Sequence, residues 1–204
     1  MQLIYFLIAC SALTMSPGPD MLYVLAKGAE KGRRAALFTA WGMCTGCLVH
    51  TFAVAFGFAQ LCASNPRVFL AVKFGGAAYL FWLAWKTIRG AHPEPVLQAA
   101  SEDDGRTFLR GVLMNVMNPK VLLFFIAFLP QFWNRSSSVP VAGQMITLGL
   151  LFMAQGFFWF TLLAWFSGWI GDFIRRSPKL LRAMPYLSGA ILVLIALGAV
   201  VAEI

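Results

Sequence analysis

Charged side chains are scarce in this 204-residue chain: 12% of residues are charged and 60% are hydrophobic. Soluble domains carry about 25% charged and roughly 45–50% apolar residues. With a mean hydropathy of +0.75, the chain reads as a polytopic membrane protein. Acidic groups are scarcer still, 8 against 16 Lys and Arg. The resulting charge of +8 is no sign of nucleic-acid binding, because the basic residues fall between apolar runs, where they orient a membrane protein. No Lys or Arg precedes the first apolar run, so that run is read as an uncleaved span, and Leu7-Ile8-Ala9-Cys10 as part of it rather than a lipoprotein box. There is no G-x-x-x-x-G-K-[S/T] phosphate loop, no H-E-x-x-H and no paired intramembrane aspartate, which argues against nucleotide-driven chemistry and against an enzyme. Cysteines number four (Cys10, Cys44, Cys47, Cys62), all inside apolar runs, so no disulfide framework is expected.

About 20 apolar residues span a bilayer, and six stretches qualify: 2–26, 36–62, 66–88, 107–132, 142–171 and 184–203. The expected fold is therefore an all-α bundle of six transmembrane helices in a single domain, 1–204. Asn65-Pro66 reads as a turn, and Ser177-Pro178 as a helix cap followed by proline at the first helical position. Lys27, Lys31, Arg33 and Arg34 populate the first connector; Lys86, Arg89, Arg106 and Arg110 flank the third; Arg175, Arg176, Lys179 and Arg182 the fifth. The second and fourth carry little more than Arg67 and Arg135. The positive-inside rule then puts connectors one, three and five in the cytoplasm and both termini outside.

Two spans are interrupted. Ser16-Pro17-Gly18-Pro19-Asp20 breaks the first and Asn115-Val116-Met117-Asn118-Pro119-Lys120 the fourth, because proline has no N–H to donate and pushes its predecessor toward extended backbone. Pro17 and Pro119 are 102 residues apart, half the chain length. Three spans per half make any repeats inverted: repeat one 1–90, loop 91–106, repeat two 107–204. Matching interrupted spans in two halves point to a transporter's binding site.

Ser16-Pro17-Gly18-Pro19-Asp20-Met21-Leu22 with Gly32-Arg33-Arg34, Gly75-Gly76-Ala77-Ala78-Tyr79-Leu80, and Asn118-Pro119-Lys120 with Phe124-Phe125 and Leu129-Pro130-Gln131-Phe132 together resemble the LysE-type amino-acid exporters, the lysine and homoserine/threonine efflux family. The resemblance covers essentially the whole chain. It implies a multi-pass protein of the bacterial inner membrane that exports amino acids or related small metabolites in exchange for protons, without a cofactor. Asp20 stands where many relatives have asparagine. With no second intramembrane carboxylate, dibasic substrates are disfavoured.

The candidates for substrate binding or proton coupling are Asp20, Asn118, Lys120, His50 and Asn115. Asp20 begins a new half-helix, where the dipole favours an anion; it either stabilises the break or carries a proton or a substrate ammonium. A charge at this depth costs at least about 2.5–3.5 kcal/mol and needs a polar surrounding. Lys120 is disfavoured at a helix start, so pairing with Asp20 or receiving a substrate carboxylate is expected. Asn115 and Asn118 share a helical face, as interhelical glue or as site groups. His50 is either a proton relay or a neutral, hydrogen-bonded core histidine. Cys44, Cys47 and His50 lie on one stripe, the basis of an alternative: a soft-metal or thiol exporter, or a membrane component that transports nothing. No second cluster completes a metal site, and packing is the favoured reading. Gly42-x-x-x-Gly46 and Gly75-Gly76 are expected at close helix contacts, within the chain or in a homodimer. Gln144, Gln155 and Trp159 are candidates for lining a path, and Phe157–Phe160 for a lipid-facing or packing face.

Overall fold

The computed structural model describes residues 2–58, 65–90, 103–134 and 136–201. Cys62, Ser64, Pro93-Glu94-Pro95, Ser101-Glu102, Arg135 and the end of the sixth expected span lie outside the described residues.

The first expected span is two helices, α1 (Gln2–Met15) and α2 (Pro19–Lys31). Of the two, the apolar one is Leu3–Met15. At 1.5 Å per residue it reaches roughly 20 Å of an apolar layer about 30 Å thick. Gly32 then turns the chain at φ 82°, the single positive φ among the described residues, and α3 (Arg33–Ala53) begins at once. This conformation strains any side chain with a Cβ, which gives the glycine of Gly32-Arg33-Arg34 its reason. A π turn, Val54–Phe58, continues α3.

Asn65 caps α4 (Pro66–Arg89), its side chain accepting from the Arg67 and Val68 amides at 3.0 and 3.4 Å. The fourth span is α5 (Asp104–Val116), a break, and α6 (Pro119–Leu123), which runs on through a π turn at Phe124–Phe128 and a 3-10 turn at Leu129–Phe132. The two parts bend by 48°. α7 (Val141–Trp165) ends at Phe166, sooner than the 142–171 span expected. α8 (Ser167–Arg175) follows, and α9 (Pro178–Val201) starts on Pro178, so the fifth connector, expected over 172–184, is mostly helix.

Among the described residues four helices are long and apolar enough to cross a membrane, Arg33–Gly57, Arg67–Arg89, Val141–Trp165 and Lys179–Val201, and five if the bent pair is one span. α3 is the central element, packing along α5 and α7, while α4 pairs with α9. Its glycines set the spacing. A Cβ on Gly42 would run into the Phe108 carbonyl, and one on Gly46 would come within 2.9 Å of Asn115 Cβ. Gly76 meets Ala127 in the same way, whereas Gly75 faces open space. Phe6, Phe124, Phe125 and Phe128 are fully buried, with Phe124 and Phe125 on Phe152 at ring distances of 5.4 and 5.1 Å. Ile4, Ile8, Phe56, Phe158 and Leu194 are exposed, as lipid-facing residues are. Lys27, counted above with the first connector, lies on α2 and is buried, its Nζ 5.5 Å from the Tyr23 ring centre.

Candidate functional site

In an α-helix each carbonyl accepts from the amide four residues on. Pro17 has no amide for Leu13, and Pro119 has none for Asn115. Both orphaned carbonyls lie in the core, where an unpaired acceptor costs about 1–3 kcal/mol. Each is met by the same two kinds of donor. Ser16 N donates to Leu13 O at 3.3 Å, and Asn118 N to Asn115 O at 3.0 Å, tightening the last turn. A basic side chain from elsewhere supplies the second bond. Lys120 Nζ donates to Leu13 O at 3.2 Å, and also to Ser16 O at 3.2 Å. His50 Nε2 lies 3.1 Å from Asn115 O. A carbonyl only accepts, so Nε2 carries the hydrogen.

The breaks are thereby locked together. Asn118 Oδ1 accepts from the Lys120 amide at 2.9 Å, capping α6, while its Nδ2 donates to Asp20 Oδ2. The anion sits in the first turn of α2 and the ammonium at the carboxyl end of α1, each where the helix dipole favours it. This explains the position of Lys120, which looks wrong only against its own helix. Asp20 and Lys120 meet at this junction and attract each other, while their hydrogen-bond partners are neutral: Asn118 holds the carboxylate and backbone carbonyls hold the ammonium.

The shared face predicted for Asn115 and Asn118 is divided by the break. Asn118 turns to α2, whereas Asn115 Oδ1 accepts from Cys47 Sγ at 3.6 Å on α3. Cys47 and His50 are thus both spent on Asn115, and among the described residues no three His, Cys, Asp or Glu side chains gather as a metal site. Cys10, Cys44 and Cys47 are free thiols. Ser16 Oγ lies 2.9 Å from Ser188 Oγ, tying the first break to α9.

A cavity of about 20 Å³ lies at the junction, walled by Leu13, Thr14, Asp20, Cys44, Asn115 and Lys120 among others. It has room for a water molecule. Thr14 Oγ1 is buried on its wall without a hydrogen-bond partner. Sequence reasoning passed over Thr14 and Ser188, since a single hydroxyl in an apolar run carries no signal of its own. Gln144 staples the loop before α7, donating to Asn134 O and Val139 O at 3.1 and 2.8 Å. Gln155 and Trp159 meet Ser11 Oγ at 2.9 and 3.3 Å.

The LysE type translocator family model matches residues 11–203. The homoserine/homoserine lactone efflux protein of Salmonella typhimurium is 28% identical over 199 residues, 97% of this chain and 94% of the relative. The leucine efflux protein of Klebsiella pneumoniae is 26% identical over 196 residues, 95% and 90% of the two chains. An uncharacterised membrane protein of Pseudomonas aeruginosa is 34% identical over 163 residues, 74% of this chain and 76% of the relative. No solved structure matches. With two interlocked helix breaks and a family match over nearly its whole length, the chain belongs to the LysE type translocators.

Proposed function

We propose that the protein is a secondary exporter of amino acids or closely related ammonium-bearing metabolites, with export coupled to proton entry. The observation that carries this reading is the interlocked pair of breaks, which brings a buried carboxylate, a side-chain amide and an ammonium to one cavity. The substrate class comes from the names of the homoserine and leucine efflux relatives. In this reading the substrate's ammonium is received by Asp20 and the carbonyls at the end of α1. Its carboxylate is received by the unpartnered Thr14 hydroxyl on the cavity wall. About 20 Å³ is far too little for an amino acid, so loading requires the junction to widen, with α6 moving from the end of α1.

The topology we propose with it is six crossings in two inverted repeats, 1–90 and 107–204, with both termini outside. It is supported by the breaks half a chain apart and by the packing of α4 on α9, the third helix of each half. The basic residues at the ends of α3 and α4 lie over tryptophans, Arg33 over Trp165 at 4.0 Å and Arg89 over Trp85 at 4.6 Å, a pattern of membrane interfaces. Efflux from proteoliposomes tests the function: an imposed pH gradient, acid on the trans side, should drive labelled homoserine or leucine out. No gradient-dependent efflux across a full amino-acid panel refutes it.

A further inference from the structure

We infer that Lys120 is the group that couples export to protons, acting as a tethered cation that occupies the place the substrate's ammonium must take. The inference rests on the exporter reading and adds the identity of the coupling group.

Its Nζ donates to the Leu13 and Ser16 carbonyls at the unwound end of α1. Freed carbonyls at a half-helix carboxyl end are where transporters of this construction hold a coupling cation. Here a lysine fills that position, so a free metal cation finds it taken. The dipole of α1 and the Asp20 carboxylate both favour positive charge there. A substrate ammonium offers the same three N–H donors to the same acceptors, and about 20 Å³ does not admit both.

A tethered ammonium cannot diffuse away; it yields the carbonyls by becoming an amine. One N–H bond breaks, the nitrogen keeps the electron pair and the proton leaves to cytoplasmic water as substrate loads. Outside, the substrate departs and Nζ takes a proton from external water. Each cycle moves one substrate out and one proton in, and the site never holds both. The titratable groups that line the cavity with Lys120 are Asp20 on α2 and Cys44 and Cys47 on α3; the other buried ones on the surrounding elements are Cys10 on α1, Tyr23 and Lys27 on α2, His50 on α3 and Lys73 on α4, and α7 lines the cavity with Phe152, Gly156 and Phe160. Cys47 and His50 are engaged by Asn115.

The test is the pH dependence of apparent substrate affinity in exchange, using full-length protein in proteoliposomes with L-homoserine and L-leucine as probes. In the unsubstituted protein affinity should rise with pH by up to about tenfold per pH unit, the limit for one proton released per substrate bound. K120Q should exchange more slowly and with no pH slope. K120R, unable to shed its proton, should bind at least about tenfold more weakly throughout the alkaline range. D20N and H50Q should lose affinity or stability yet keep the slope. A retained slope in K120Q, unchanged affinity in K120R, a slope abolished in D20N or H50Q, or export driven by a sodium gradient alone each overturns the inference. So does K120Q protein that reaches the membrane but exchanges nothing, because an emptied site must still accept substrate. If the unsubstituted protein exchanges neither probe, it is the exporter reading that fails; exchange with a slope indifferent to Lys120 defeats only this inference.

Discussion

Asn118 does two incompatible-looking jobs with one amide, and exchanging it for its acid separates them. Its oxygen caps α6 through the Lys120 amide, and its nitrogen donates to Asp20. Asn118→Asp keeps an oxygen for the cap but replaces the donor with a second carboxylate facing the first. The lost hydrogen bond to a charged acceptor is worth about 1.5–3 kcal/mol. Two like charges at hydrogen-bonding range add repulsion of about 4 kcal/mol at an effective dielectric of 20. A total on the order of 6 kcal/mol corresponds, at roughly 2–4 °C per kcal/mol for a chain of this size, to a fall of about 12–24 °C in the unfolding midpoint. The decisive comparison is the exchange Asp20→Asn with Asn118→Asp. It rebuilds the same bond in reverse: the new amide on α2 donates to the new carboxylate, which still caps α6. Stability should return to within about 1–2 kcal/mol of the starting protein, a coupling energy above the roughly 0.5–3 kcal/mol that neighbouring residues usually show. Export should stay impaired, because the negative charge has left α2. Thermal unfolding in detergent, followed by tryptophan fluorescence, reads the first part, and proteoliposome efflux the second. An N118D protein as stable as the original, or a double variant no more stable than N118D, refutes the assigned contact.

Other substitutions separate packing from mechanism. Pro119→Ala returns an amide to Asn115 O and permits a continuous helix, so efflux should fall while the unfolding midpoint holds or rises; efflux at the original rate would dismiss the broken helix as a requirement. His50→Leu strips Asn115 O of its side-chain donor and should cost about 1–3 kcal/mol, part of which His50→Gln restores; equal midpoints for the two variants would show that the bond does not matter. Gly42→Ala drives a Cβ into the Phe108 backbone and should cost at least about 1–3 kcal/mol. Gly18→Ala should be nearly silent, since Gly18 is extended at φ −171° and a Cβ there would meet Lys120 Nζ at 3.4 Å and Ser16 O at 3.8 Å, both ordinary contacts. Folding and efflux assays that rank these two the other way round would invalidate the packing argument.

Of the signature at 16–20, then, the prolines do the breaking and the glycine is dispensable in shape, a distinction that composition alone did not draw. The breaks themselves were legible, because their cause is local: a missing N–H and a predecessor forced to extend act within four residues, whatever surrounds them. Asn65 and Pro178 were legible for the same reason, and so was the membrane class, which follows from the scarcity of charge.

What answers the freed groups was not legible. The partner of Asp20 is 98 residues away and that of Leu13 O is 107 away. The sequence suggested the pairing of opposite charges; the structure brings the two to one junction and hydrogen-bonds each to a neutral partner. His50 looked like a proton relay or a satisfied histidine; its bond to Asn115 O favours the second, and only the approach of α3 to α5 over Gly42 and Gly46 makes that bond. The end of α7 at Phe166 was also missed, since an apolar run of that length does not say where it stops. The sequence by itself determined that two helices must break and which carbonyls would be left without amides. Tertiary structure decided which side chains repair them, because burial forbids an unpaired acceptor but leaves the choice of donor to whatever helix packs alongside.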